Sequence, residues 1–185
     1  MTMRWGPGAL ALALLVAGAA SAQTAEGRRI EHRGEAIEFL YIAHRGDAHL
    51  APGDDALPAD SPLRTFRQQH RHLVAGDIEE AALLSNEPKR RFEILRDYRD
   101  AVGVDEFRKV YAKYFDPANR IVAEARIGDH SLLVWRLADE KRLAGLYYAR
   151  IEDRWLTDDV PTETRLKLRW VLEHLRREAA APAAD

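Results

Sequence analysis

Apolar positions recur in this chain with two different spacings, and the change between them divides it into a helical stretch and a sheet. Glu35 to Ala43 (EAIEFLYIA) alternates, with Ile37, Phe39 and Tyr41 on one side, and reads as a strand. Residues 23–34 before it are polar and charged and read as an irregular lead-in. Arg45-Gly46-Asp47 reads as a turn, and Pro52 to Pro62, with three prolines and three aspartates, as a loop. The spacing then becomes helical. Ser61-Pro62 is a helix start, and Leu63, Phe66, His70, Leu73 and Val74 fall on one stripe. After Gly76, Asp77 with Glu80 resembles a capping box opening a short helix that ends near Leu84. Ser85-Asn86-Glu87-Pro88 opens the next helix, with Phe92, Leu95, Tyr98 and Val102 as its stripe. Gly103 breaks it, Asp105 is the expected cap of the following helix, and Phe107, Val110, Tyr111 and Tyr114 form a fourth stripe. Asp116-Pro117 closes the helical half.

From Ile121 the period is two. Ile121 to Ile127, His130 to Ala138, Leu143 to Ile151 and Trp155 to Val160 read as strands. Gly128-Asp129 has the glycine-first pattern of a type II′ hairpin. Asp139-Glu140-Lys141-Arg142 reads as a four-residue loop, and Asp153-Arg154 as the lead into the last strand. Pro161-Thr162 caps a final helix with Leu168, Val171, Leu172 and Leu175 on one side, and Ala179 to Asp185 is a frayed tail. The expected class is α+β: an N-terminal strand, helices, then a curved antiparallel β-meander with a C-terminal helix.

Turn length sets register, and register sets which side chains share a face. Pairing across Gly128-Asp129 puts Arg126 opposite Ser131, Glu124 opposite Leu133 and Val122 opposite Trp135. A four-residue second loop puts Trp135 opposite Leu146 and Leu133 opposite Tyr148. One face then holds Ile121, Ala123, Ala125, Ile127, Leu132, Val134, Tyr147, Ala149 and Ile151, suited to lie under the front helices. The other holds Val122, Leu133, Trp135, Leu137, Leu146 and Tyr148, with Glu124, Arg126, Ser131 and Arg150 toward one end. Both faces are apolar, so the second also needs a cover: the C-terminal helix, a second subunit or a ligand.

The amino terminus bears on location. Arg4, the apolar run Ala9 to Ala20 and the small-residue site Ala20-Ser21-Ala22 make a signal peptide cleaved after Ala22. The run is shorter than the ~20 residues that span a bilayer, so no membrane anchor is expected after cleavage. The sequence divides into residues 1–22 (signal peptide), 23–60 (lead-in, strand and proline-rich loop), 61–178 (α+β domain) and 179–185 (tail). The expected location is periplasmic or secreted. The 28 basic and 30 acidic residues give a net charge of −2, which offers no electrostatic case for binding nucleic acid or an anionic membrane. With no cysteine, disulfides, thiolate metal sites and cysteine nucleophiles are excluded.

Helices followed by a long antiparallel meander, with an early strand and a tryptophan in the last one, resemble the nuclear transport factor two-like (SnoaL-like or cystatin-like) superfamily. The stretches that carry the likeness are Ser61-Pro62-Leu63 through Leu84, especially Leu73 to Ala81 with its Gly76-Asp77 kink, and Tyr147 to Leu156 ending in Trp155-Leu156. The long proline-rich loop and the helix after the last strand depart from that pattern. The resemblance implies an α+β fold with a pocket, in a superfamily that holds isomerases, dehydratases, cyclases, ligand binders and interaction modules. It does not choose among those functions.

Candidate chemistry is sparse. His70 and His72 are two apart on a helix and point to different faces, while His44 and His49 flank a turn. No metal or cofactor is expected from this spacing. Tyr98, Tyr111 and Tyr114 fall on stripes and are expected in the core. Glu124, Arg126, Ser131 and Arg150 form the one polar constellation the register predicts. It reads as a cross-strand salt bridge, or as a catalytic carboxylate, Glu124, acting as a base beside Trp135 and Tyr148. Arg126 and Arg150 could instead hold an anionic ligand. The functional expectation is an exported ligand-binding or protein-interaction module acting through Arg126, Trp135, Tyr148 and Arg150. Its partner would be a small apolar or anionic ligand, a periplasmic protein, or a second copy in a homodimer. The alternatives are an isomerase or hydratase using Glu124 and an inhibitor or immunity-type protein.

Overall fold

Turn chemistry lays out the sheet. In the computed structural model, which describes residues 24–44, 50, 59–138 and 143–180, six antiparallel strands lie in the order of the chain. They are β1 (Thr24–His32), β2 (Glu35–Ala43), β3 (Arg120–Ile127), β4 (His130–Arg136), β5 (Leu143–Ile151) and β6 (Arg154–Thr157). Between β2 and β3 come α1 (Pro62–Ala75), α2 (Ile78–Ala82), α3 (Pro88–Val102), α4 (Val104–Ala112) and a 3₁₀ turn, Lys113–Phe115; α5 (Glu163–Ala180) follows β6. The α+β class is as expected, with a curved, unclosed sheet. The signal peptide, the Arg45-Gly46-Asp47 turn, His49, the Asp139–Arg142 loop and the tail beyond residue 180 lie outside the described residues.

The segment expected to be an irregular lead-in is strand β1. Arg33 (φ 52°) and Gly34 (φ 83°) make a hairpin with two positive φ angles, the type I′ pattern, and pair Ile30 with Ile37 and His32 with Glu35. Only Ile30 gave an apolar signal, because an edge strand keeps most of its side chains in water. The Gly128-Asp129 hairpin forms as expected, with Gly128 at φ 56°.

Two registers differ from expectation. A bulge falls between Ile121 and Ala123, so Ile121, not Val122, faces Trp135. The backbone N–H of His44 donates to the carbonyl of Val122, the extra residue, at 3.2 Å. In the next hairpin Trp135 faces Ala144, Leu133 faces Leu146 and Ser131 faces Tyr148. The reason lies at Ala138, whose N–H donates to buried Asn119 Oδ1 at 2.9 Å and so leaves the strand. That slip is two residues, which preserves facing.

The covers are the reverse of those expected. The Ala125, Leu132 and Val134 face packs under α5, through Leu168, Val171, Leu172 and Leu175. A Cβ on Gly145 would lie 2.8 Å from Leu132 Cδ1 and 3.3 Å from Leu172 Cδ2, so glycine there permits the close approach of helix and sheet. The Leu133, Trp135 and Tyr148 face packs under the front helices through Leu63, Phe66, Tyr114 and Phe115. Because of the bulge, Ile121 joins this second layer and Val122 the first.

Helix starts differ from expectation in two places. Ser61 Oγ caps α1 by accepting from Arg64 N, as expected, but Asp77 makes no side-chain cap and α4 is capped at Gly103 rather than Asp105. On α3 only Leu95 is buried; Tyr98 and Val102 of the expected stripe are exposed. The final helix also extends through Ala179 and Ala180, expected in the tail.

Candidate functional site

Strand pairing brings Glu124, Arg126, Ser131, Trp135 and Tyr148 to one face of the sheet, as the register argument required. Glu124 is buried, and its Oε1 accepts from Arg126 Nε at 2.5 Å and Ser131 Oγ at 2.7 Å. The Arg126 guanidinium lies 5.2 Å from the centre of the Trp155 ring. Glu124 is therefore engaged by an ion pair within β3 and by a cross-strand hydrogen bond from Ser131, not by the cross-strand salt bridge expected. Arg150 does not join this group. Its side chain is exposed and pairs with Asp153 at 3.5 Å at the β5–β6 turn. Nearby, burial lowers the pKa of His44, with Arg126 adding to the effect and Glu124 opposing it.

Trp135 and Tyr148 occupy the buried layer between sheet and front helices. Tyr148 is fully buried, its hydroxyl has no hydrogen-bond partner, and burial holds its pKa well above the usual phenol value. Trp135 is also buried, and its indole N–H has no partner. Such donors cost about 1–3 kcal/mol each when left unpaired.

A cavity of about 260 Å³ opens beside Trp135, lined also by His70, Arg91, Tyr111, Tyr114 and Leu146. Helix α1 presents His70 here because Phe66, one turn earlier, anchors the same face in the core. The two rings stack at 3.7 Å, and Tyr111 and Tyr114 approach the imidazole edge-on at 5.8 and 4.9 Å. His70 Nδ1–H donates to the Phe66 carbonyl at 3.0 Å, which leaves Nε2 as an acceptor. Burial lowers the imidazole pKa to about 3, and Arg91 reinforces that shift, so the ring is neutral at ordinary pH. Burial likewise raises the Tyr111 phenol to about 12. The cavity is an aromatic slot whose lining includes a neutral imidazole and the Trp135 ring, whose N–H is buried and unpaired. His70, Tyr111 and Tyr114, read from spacing as core or ordinary residues, line it; the spacing marked their burial but not the gap between them.

A second polar cluster joins the α2–α3 connection to the end of β6. Arg91 makes two hydrogen bonds to Asp159, at 2.7 and 2.5 Å, and Ser85 Oγ donates to the same carboxylate at 2.6 Å. Buried Asp158 accepts from Asn86 Nδ2 at 2.8 Å and Val160 N at 3.2 Å, with His130 Nδ1 at 3.1 Å. Residues 85 and 158 are far apart in sequence, so this cluster had no local signal. Replacing Asp158 by Ala orphans three donors, and a loss of about 2–3 kcal/mol is expected in urea denaturation. A loss below about 1 kcal/mol would mean the cluster does not hold the two segments together.

Among the described residues no group of three or more His, Cys, Asp or Glu side chains is placed to hold a metal, and no helix is long and apolar enough to cross a membrane. Comparison of the chain with protein-family models, curated proteins and solved structures yields no match.

Proposed function

We propose that this chain is an exported small-molecule-binding module whose site is the aromatic cavity between α1, α3, α4 and the sheet. The observation that carries the reading is an aromatic cavity lined by Trp135 and neutral His70, with the Trp135 indole N–H buried and unpaired. A ligand acceptor would remove the cost of that orphaned donor, and the His70 acceptor would take a ligand donor. The volume of about 260 Å³ lies just under the ~300–1,000 Å³ of pockets for drug-sized molecules. The ligand is accordingly small, flat and mostly apolar. Arg91 adds little attraction for an anion because Asp159 already neutralises it.

The isomerase or hydratase reading has less support, since Arg126 and Ser131 occupy Glu124. The reading of a protein partner, or of a homodimer, draws on the exposed apolar side chains Ile94, Tyr98, Val102 and Val104 at α3 and the start of α4. The resemblance to the nuclear transport factor two-like superfamily is retained as a proposal, supported by the helix-covered sheet and its cavity.

The test uses bicyclic heteroaromatic amides, 2-quinolinone first, observed by saturation-transfer NMR and titrated by calorimetry. Ala144 lines the cavity opposite Trp135. Ala144→Leu should fill the space and weaken binding at least tenfold, and Trp135→Phe should weaken it by removing the N–H. The reading fails if none of the panel binds, or if Ala144→Leu binds as tightly as the parent.

A further inference from the structure

We infer that a second groove, between α5, α3 and Tyr147, is a binding site for a phosphate group, independent of the aromatic cavity. The groove encloses about 490 Å³ and is lined by Arg90, Arg165 and Arg169, with Tyr147, Thr162 and Leu166. Arg165 and Arg169 are four apart on α5 and so share a face, where like charges repel. Arg165 lies 5.3 Å from the centre of the Tyr147 ring. Among the described residues, none of the three guanidiniums has an ion pair with a carboxylate.

The carboxylates nearby are taken. Asp159 lines the groove but is held by Arg91 and Ser85. Glu163 and Glu173, also on α5, pair with Lys167 and Arg176. Some arginines elsewhere on the surface do sit beside an acid, as Arg28 by Glu26, Arg64 by Asp60 and Arg96 by Asp97. Three uncompensated guanidiniums around one groove call for an anion with more than one charge and several acceptor oxygens. A phosphate monoester meets that need where a single carboxylate does not, and the guanidinium fork matches its oxygens. Burial raises the Tyr147 pKa, which keeps its hydroxyl protonated as a donor. Pro161 and Leu166 give the groove an apolar lip for the organic part of the ester.

The phosphate could belong to a soluble ester or to a lipid headgroup, and the experiment separates them. The protein is titrated calorimetrically with inorganic phosphate and phenyl phosphate at low salt. In parallel it is co-sedimented with phosphatidylcholine vesicles with and without phosphatidic acid. Phenyl phosphate binding that falls at least tenfold in the Arg165→Gln/Arg169→Gln variant, and weakens with salt, supports a soluble ester. Co-sedimentation that requires phosphatidic acid and is lost in the same variant supports a headgroup. Arg90→Gln, on a different helix, should weaken whichever binding is found, so the outcome does not rest on α5 alone. Arg177→Gln, exposed on α5 but outside the groove, should change neither. The inference is overturned if neither probe binds, if the double variant binds as well as the parent, or if Arg177→Gln loses as much.

Discussion

Acidification from pH 8 to pH 5 is expected to remove about 2 kcal/mol of stability through His70, and about 4 kcal/mol by pH 3. The unfolded imidazole takes its proton near 6.5, whereas the folded one does so only near 3. Between those values the unfolded state binds more protons, so stability falls as pH falls. Well above 6.5 neither state is protonated and the contribution is fully present. The cause is steric and dielectric. The ring is buried against Phe66 with its Nδ1–H already bonded, and Tyr111 and Tyr114 close its edges. Protonation would place an unsolvated charge there, with Arg91 nearby. Urea denaturation at stepped pH, compared between the parent and His70→Gln, measures the effect. The range from pH 8 to 5 is the informative one, because ordinary carboxylates titrate mainly below it. Equal slopes in the two proteins would show that His70 is solvated in the folded state.

Phe66→Ala is expected to cost about 3–5 kcal/mol, the range for deleting a large aromatic side chain from a core. Phe66 is fully buried and meets His70 face-on, and Trp135 and Tyr114 at 5.2 and 6.0 Å between ring centres. It therefore joins α1 to the sheet and forms the rear support of the candidate cavity. Leu63→Ala, one turn earlier and only half-buried, should cost less than half as much. The two effects are linked: without the Phe66 ring, water reaches His70 and the pH slope between 8 and 5 should shrink. A cost under about 1.5 kcal/mol for Phe66→Ala would mean that the helices do not depend on this contact to stay on the sheet.

Much of the layout was legible in local pattern. Period and turn residues located β2, α1, α3, the β3–β4 hairpin and α5, because each carries its own signal within about ten residues. β1 was missed because an edge strand shows water most of its side chains, and its order comes from pairing with β2. The bulge at Val122 was missed for a related reason: alternation assigns faces only while pairing continues without an extra residue. The candidate site was half legible. Register placed Trp135 with Tyr148 and Glu124 with Ser131, but no periodic signal showed that Glu124 would be occupied while Trp135 would be left without a partner.

The chain's own order of residues determined that both faces of the meander are apolar and that helices stand ready on either side of it in sequence. Which helix took which face was decided in three dimensions. Gly145 lets Leu172 of α5 settle on the sheet beside Leu132, while the Phe66 and Tyr114 rings pack around Trp135 on the other face. Tertiary packing also left the gap beside His70 and the Asp158 cluster that ties distant segments together. Backbone periodicity acts over neighbouring residues, whereas a cavity and an unpaired donor are properties of side chains from separate elements meeting imperfectly.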